Sequence, residues 1–142
     1  MKLPAAITTP FKNTINPEDE RVMPGDLFME RRIRSLIRWN AMAMVMRAND
    51  NEDGLGGHIS SFSSSATLYD VGMNYFFRGT GNGHPGDLVF YQGHSAPGMY
   101  ARSYLEGVFD ESQLENFRRE VSGKGLSSYP HPVSYTHLTL PT

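Results

Sequence analysis

Two Gly-His pairs carry the chemistry this 142-residue sequence offers most directly. Gly57-His58 lies in GLGGHISS, just ahead of a stretch with helical periodicity. Gly93-His94 lies in DLVFYQGHSAPG, where a run of strand-forming residues gives way to a helix start. A glycine beside each imidazole lets the backbone approach a ligand closely. The orphan N–H groups and the dipole at a helix N-terminus favour an anion there. An imidazole titrates near neutral pH, so it can donate to a developing alkoxide or shuttle a proton. Spacing alone leaves two readings open for each histidine: a ligand-facing group, or a solvated loop residue.

Other constellations are weaker. His58, His84, His94, His131 and His137 form no H-x-H or HExxH pattern, which argues against a zinc site built by the protein. Serines 60, 61, 63, 64 and 65 lack the G-x-S-x-G elbow of a nucleophile and read as helix caps. GLGG follows charged residues and not a strand, so it is a poor dinucleotide fingerprint. His84, in NGHPGD, reads as a solvated loop residue. The stretch SSYPHPVSYTHLT, residues 127–139, presents two Tyr-x-His units that look like a repeat.

Composition narrows the classes. Thirteen Lys and Arg against fifteen Asp and Glu give a net charge of −2, so no basic field invites nucleic acid. The absence of cysteine excludes disulfides and thiolate metal ligands. No apolar run approaches the ~20 residues that span a bilayer, and MKLPAAITTPFK lacks the apolar core of a signal peptide. The expectation is a cytoplasmic protein.

The elements that must position these residues follow from periodicity. Pro4, Pro10, Pro17 and Pro24 mark residues 1–25 as an extended lead-in. Asp26 can cap a first helix with Ile33, Leu36, Ile37, Ala41, Met44 and Val45 on one face and Arg31, Arg34 and Arg38 opposite. A second helix is expected from Ser61, capped by Ser60 or Ser61, with Phe62, Ala66, Tyr69, Met73 and Phe76 inward. DLVFYQG reads as a strand. A third helix follows, with Pro97 in its first turn and Gly107 beyond its end. DESQLENFRREV signals a fourth: Asp110 and Gln113 have capping-box spacing, Leu114, Phe117 and Val121 share a face, and Gly123 ends it. Helices around one clear strand point to an α/β architecture with an incomplete sheet, part of a larger domain.

The blocks ERRIRSLIRWNAMAMVMRAN, GLGGHISSFSSSATLYDVGMNYFFR, GDLVFYQGHSAPGMYARSYLEG and LENFRREVSGKGLSSYPHP resemble consecutive parts of the homodimeric bacterial pyruvate dehydrogenase E1 component, a thiamine-diphosphate-dependent, transketolase-like family. The resemblance runs from Pro24 to Pro132, and more loosely from Leu3. It implies that residues 26–132 are the first part of a diphosphate-binding domain. His58 and Ser61 match the family's first cofactor-site block, and Gln92 and His94 match the second. Tyr129 matches the tyrosine that reaches the substrate side. His58, His94 and Tyr129 are thus the implied catalytic residues, and His58, Ser61, Gln92 and His94 the implied cofactor contacts. The implied reaction is oxidative decarboxylation of pyruvate, with the acetyl unit passed to a lipoyl group on the E2 acetyltransferase; the alternatives are another transketolase-like thiamine-diphosphate enzyme or a stand-alone, non-catalytic phosphate-binding module. Thiamine diphosphate is the electron sink and magnesium its bridge to the protein.

The sequence departs from the family pattern in two ways. The Gly-Asp-Gly…Asn segment that holds magnesium is not found here, nor are the pyrimidine-binding and C-terminal domains, so no metal ligand is assigned. The isolated chain is expected to be inactive. After Pro132 the resemblance stops, and VSYTHLTLPT is one translation of GTC TCT TAT ACA CAT CTG ACG CTG CCG ACG, the pattern of a transposase-type sequencing adapter. Residues 133–142 are therefore expected to be a non-native tail, and the repeat in SSYPHPVSYTHLT a coincidence.

Overall fold

A computed structural model of the chain describes residues 26–55, 58–81, 83–121 and 125–130. The expectations for the lead-in 1–25, the tail 133–142, Gly57, Gly123, His131 and His137 lie outside the described residues.

Helix α1 spans Leu27–Asn51, and Asp26 caps it by accepting the Met29 N–H at 2.9 Å. Helix α2, Ile59–Val71, runs on into a π-helical turn, Gly72–Phe76. A 3₁₀ turn at Gly93–Ser95 leads into α3, Ala96–Leu105, with Pro97 in its first turn as expected. Helix α4 is short, Glu111–Glu115.

Helix α3 is the hub, because small residues on several of its sides let neighbours come close. Ala96 and Tyr100 pack with Met44, Val45 and Ala48 of α1, and with Phe117 and Leu126. Ala101 packs with Ile37 and Ala41 of α1 and with Phe62 and Ala66 of α2. A Cβ on Gly98 would lie 1.9 Å from Phe62 Cε2, so only glycine lets that ring seat. Burying such a phenylalanine contributes about 1.5–3 kcal/mol. The end of α3 is a Schellman motif: Gly107 adopts φ +77, Val108 N–H donates to Ser103 O at 2.9 Å, and Gly107 N–H to Tyr104 O at 3.0 Å.

The α/β expectation is corrected. Among the described residues there is no strand and no sheet; the only bridge is an isolated pair, Gly81 with His84. Residues 87–92 lie outside regular secondary structure. Tyr91 and Val89 turn partly inward while Leu88 and Phe90 stand fully exposed. The alternation of a strand is present, but a ladder needs a run of backbone bonds with a neighbouring segment, and the bond of Asp87 N–H to Arg78 O at 2.9 Å is not continued along it among the described residues. The architecture here is helical.

Several helix expectations also change, among them Phe76, expected inward but exposed. The cap of α2 is His58, not Ser60 or Ser61. Helix α4 stops at Glu115, so Phe117 is buried but Val121 is fully exposed. Ile33 and Leu36 of α1 are only partly covered, at 39% and 40% exposure. The side of α1 facing away from the core carries Phe28, Trp39, Met42 and Met46, all exposed. The arginines lie between these faces, and Arg38 Nη2 donates to Thr67 Oγ1 of α2 at 3.1 Å.

Candidate active site

His58 stands at the N-cap of α2, and its side chain makes no capping bond, which leaves the ring directed elsewhere. It meets His94 edge to face, with ring centroids 4.2 Å apart and planes at 81°. His94 sits in the 3₁₀ turn, fixed by Ser95 N–H donating to Gln92 O at 2.9 Å. The Tyr129 ring then packs against His94 at 5.5 Å and 63°. Three stretches far apart in sequence thus converge on one spot.

Each member has a visible support. Ser95 is fully buried, and its Oγ lies 3.1 Å from Ser65 Oγ of α2, joining the two histidine-bearing elements. Gly93 admits Tyr129, since a Cβ there would fall 2.3 Å from Tyr129 Cδ1. The close approach that this glycine permits is therefore to a tyrosine of the same chain. Tyr100 O–H, rooted in α3, donates to Ser127 O at 2.9 Å and lies 3.1 Å from Ser127 Oγ. Burial pushes the Tyr100 hydroxyl up to about 12, against the opposing pull of the Ser127 bond. Ser127 Oγ in turn donates to Tyr129 O.

The result is a shallow cleft lined by His58, His94, Pro97, Phe117, Arg118, Ser128 and Tyr129. The expected residues His58, His94 and Tyr129 are brought together. Ser61 and Gln92 are not among the lining residues. Ser61 lies in the first turn of α2, where its carbonyl accepts the Ser65 hydroxyl at 2.9 Å, and the Gln92 side chain is exposed. Sequence reasoning missed Arg118 and Ser128. The helical pattern of DESQLENFRREV had placed Arg118 within a helix, and nothing in its spacing signalled the break.

Chemically, the cleft offers two imidazoles, a phenol and a guanidinium, all able to donate to an anionic or carbonyl-bearing ligand. Among the described residues no group of three or more His, Asp or Glu is placed to hold a metal ion. A second hollow beside α2 and α3 contains Asp70, whose Oδ2 is buried without a partner among the described residues. Burial raises that carboxyl, opposed by Arg38, Arg34 and Arg102.

No family model matches the chain. It is 69% identical over 131 residues to the pyruvate dehydrogenase E1 component of Pseudomonas aeruginosa, covering 92% of this chain and 15% of that protein. To the Escherichia coli K12 pyruvate dehydrogenase E1 component it is 58% identical over 122 residues, 86% of this chain and 14% of the relative. To that of Haemophilus influenzae it is 53% identical over 132 residues, 93% of this chain and 15% of the relative. The chain thus spans about one seventh of the length of the curated relatives it matches.

Proposed function

The chain belongs to the pyruvate dehydrogenase E1 component family as a segment of it, and on that premise we propose that it supplies one wall of the active site of a pyruvate dehydrogenase E1 subunit. Residues 26–132 form the first part of the domain that binds the cofactor diphosphate. The whole subunit decarboxylates pyruvate oxidatively, passes the acetyl group to the lipoyl carrier of E2, and works as a homodimer in the cytoplasm. No described helix is long and apolar enough to cross a membrane.

The observation that carries this reading is the convergence of His58, His94 and Tyr129 on one cleft. These residues fit the organic part of thiamine diphosphate and a 2-oxo acid: all three can donate hydrogen bonds, and they sit beside a guanidinium. They bring no carboxylate set for its magnesium. When bound, thiamine diphosphate supplies the electron sink for decarboxylation. This chain's residues do the rest of the work assigned to it. His58 and His94 hold or deliver a proton at the substrate oxygen, since an imidazole ring carries both a donor and an acceptor nitrogen. Tyr129 O–H orients the substrate. Ser61 and Gln92, on the elements that carry the two histidines, would contact the cofactor.

The test is a set of single substitutions, His58→Gln, His94→Gln and Tyr129→Phe, in a full-length E1 component carrying this segment. Loss of a positioned proton donor should lower kcat by about 100-fold or more for the histidines. A parental rate of pyruvate decarboxylation by His94→Gln would overturn the assignment.

A further inference from the structure

We propose that Arg118 is a positioning residue of the cleft, tying Leu55, which precedes His58, to Ser128, which adjoins Tyr129, through one guanidinium. This rests on the reading of the cleft given above. Arg118 adopts φ 65, the only non-glycine among the described residues in the left-handed region. Side chains with a Cβ avoid that region, and persistence there calls for surroundings that enforce it. The surroundings are visible. Helix α4 breaks after Glu115, and the chain folds back so that Arg118 N–H donates to Leu126 O at 2.7 Å and Leu126 N–H to Asn116 O at 3.2 Å. Gly125 makes this return possible, since a Cβ there would lie 2.1 Å from Asn116 O.

The return aims the side chain between Leu55 and Ser128. Arg118 Nε donates to Ser128 Oγ at 2.9 Å, and Nη1 donates to Leu55 O. Leu55 lies three residues before His58, and Ser128 adjoins Tyr129. A planar guanidinium can make both bonds at once in a fixed geometry, which a lysine ammonium on its single nitrogen cannot reproduce. His94 contacts both His58 and Tyr129, so releasing Leu55 or Ser128 disturbs the register of all three rings. Misplacement of about 1 Å in such a site can cost about 100-fold in rate.

The experiment uses a full-length E1 component carrying this segment, with Arg118→Gly, Arg118→Asn and Arg118→Lys. Glycine and asparagine tolerate the left-handed backbone, so they remove the guanidinium without adding strain. Expected are a fall in kcat of about 100-fold for Arg118→Gly and Arg118→Asn, a KM for pyruvate that changes far less, and partial activity in Arg118→Lys. Added guanidinium ion should restore activity to Arg118→Gly. In the cofactor-free protein, hydrogen exchange should speed up in peptides covering 52–58 and 125–130 and stay unchanged in α1. A kcat within twofold of the parent in Arg118→Asn overturns the proposal. So does a loss that guanidinium does not relieve and that comes with faster exchange throughout the chain. His94→Gln, assayed alongside, separates the two readings. A parental rate there sinks the cleft assignment itself, whereas an inactive His94→Gln beside an active Arg118→Asn sinks only the role of Arg118.

Discussion

Gly93 and Gly98 both stand where a methyl group would collide with an aromatic ring, and their surroundings make the outcomes differ. At Gly98 the obstacle is Phe62, buried in the core between α1, α2 and α3, so the ring has nowhere to go. Gly98→Ala should destabilise by about 1–3 kcal/mol, read as a lower denaturation temperature of the full-length enzyme. At Gly93 the obstacle is Tyr129, which is half exposed and can swing outward. Gly93→Ala should therefore leave stability within about 1 kcal/mol while lowering kcat, because the ring that packs on His94 has moved. An unchanged kcat would show that the Tyr129 position does not matter. Tyr100 gives the residue scale a pH dependence. Burial raises the hydroxyls of Tyr100 and Tyr91 to about 12, above the ordinary value near 10. Below pH 10 both groups keep their protons whether folded or not. Between pH 10 and 12 the unfolded chain releases them and the folded chain does not, so stability is lost as pH rises through that window. Tyrosinate absorbance should show late ionisations in the folded protein, and Tyr100→Phe should remove one of them. The same substitution strips Ser127 O of its donor, at a cost of about 1–3 kcal/mol.

The elements show which local rules carried through and which gave way. Asp26 at the start of α1, Pro97 in the first turn of α3, Gly107 beyond its end and the Asp110–Gln113 box were legible because each satisfies an orphan backbone group or, for the proline, removes one within a few residues. Asp110 accepts Gln113 N–H at 2.9 Å, and Gln113 Oε1 accepts Asp110 N–H at 3.0 Å. Asp110→Ala should cost about 1 kcal/mol, seen as faster hydrogen exchange in residues 110–117; unchanged exchange would show that burial of Phe117 alone holds this turn. What local rules could not supply is the long-range pairing. Helical spacing of Leu114, Phe117 and Val121 extends the fourth helix to Gly123, yet the return of Leu126 onto Asn116 and Arg118 ends it five residues in. The strand pattern of DLVFYQG likewise depends on a partner that periodicity cannot name. The candidate site was legible through its Gly-His pairs and the family blocks, but their convergence, and the arginine between Leu55 and Ser128, depend on the tertiary fold.

At the scale of the whole molecule, the described helices leave much apolar surface in water. Phe28 and Trp39 on α1 are 76% and 72% exposed, Leu68 on α2 is 72% exposed, and Leu88 and Phe90 are bare. A helix such as α1, with Ile37, Ala41, Met44, Val45 and Ala48 buried on one side and Trp39, Met42 and Met46 on the other, has the pattern of an element covered on both sides. Apolar patches of this kind mark surfaces that associate. The chain spans about 15% of the length of its relatives. The isolated 142-residue chain is accordingly expected to self-associate at micromolar concentration, to melt over a broad temperature range, and to show no tight binding of thiamine diphosphate with magnesium by calorimetry. It is also expected not to decarboxylate pyruvate, since it spans about 15% of the length of its relatives. A monomer by sedimentation with a sharp cooperative transition would show that the exposed faces need no cover. Saturable cofactor binding by that monomer would show that this one wall suffices as a site.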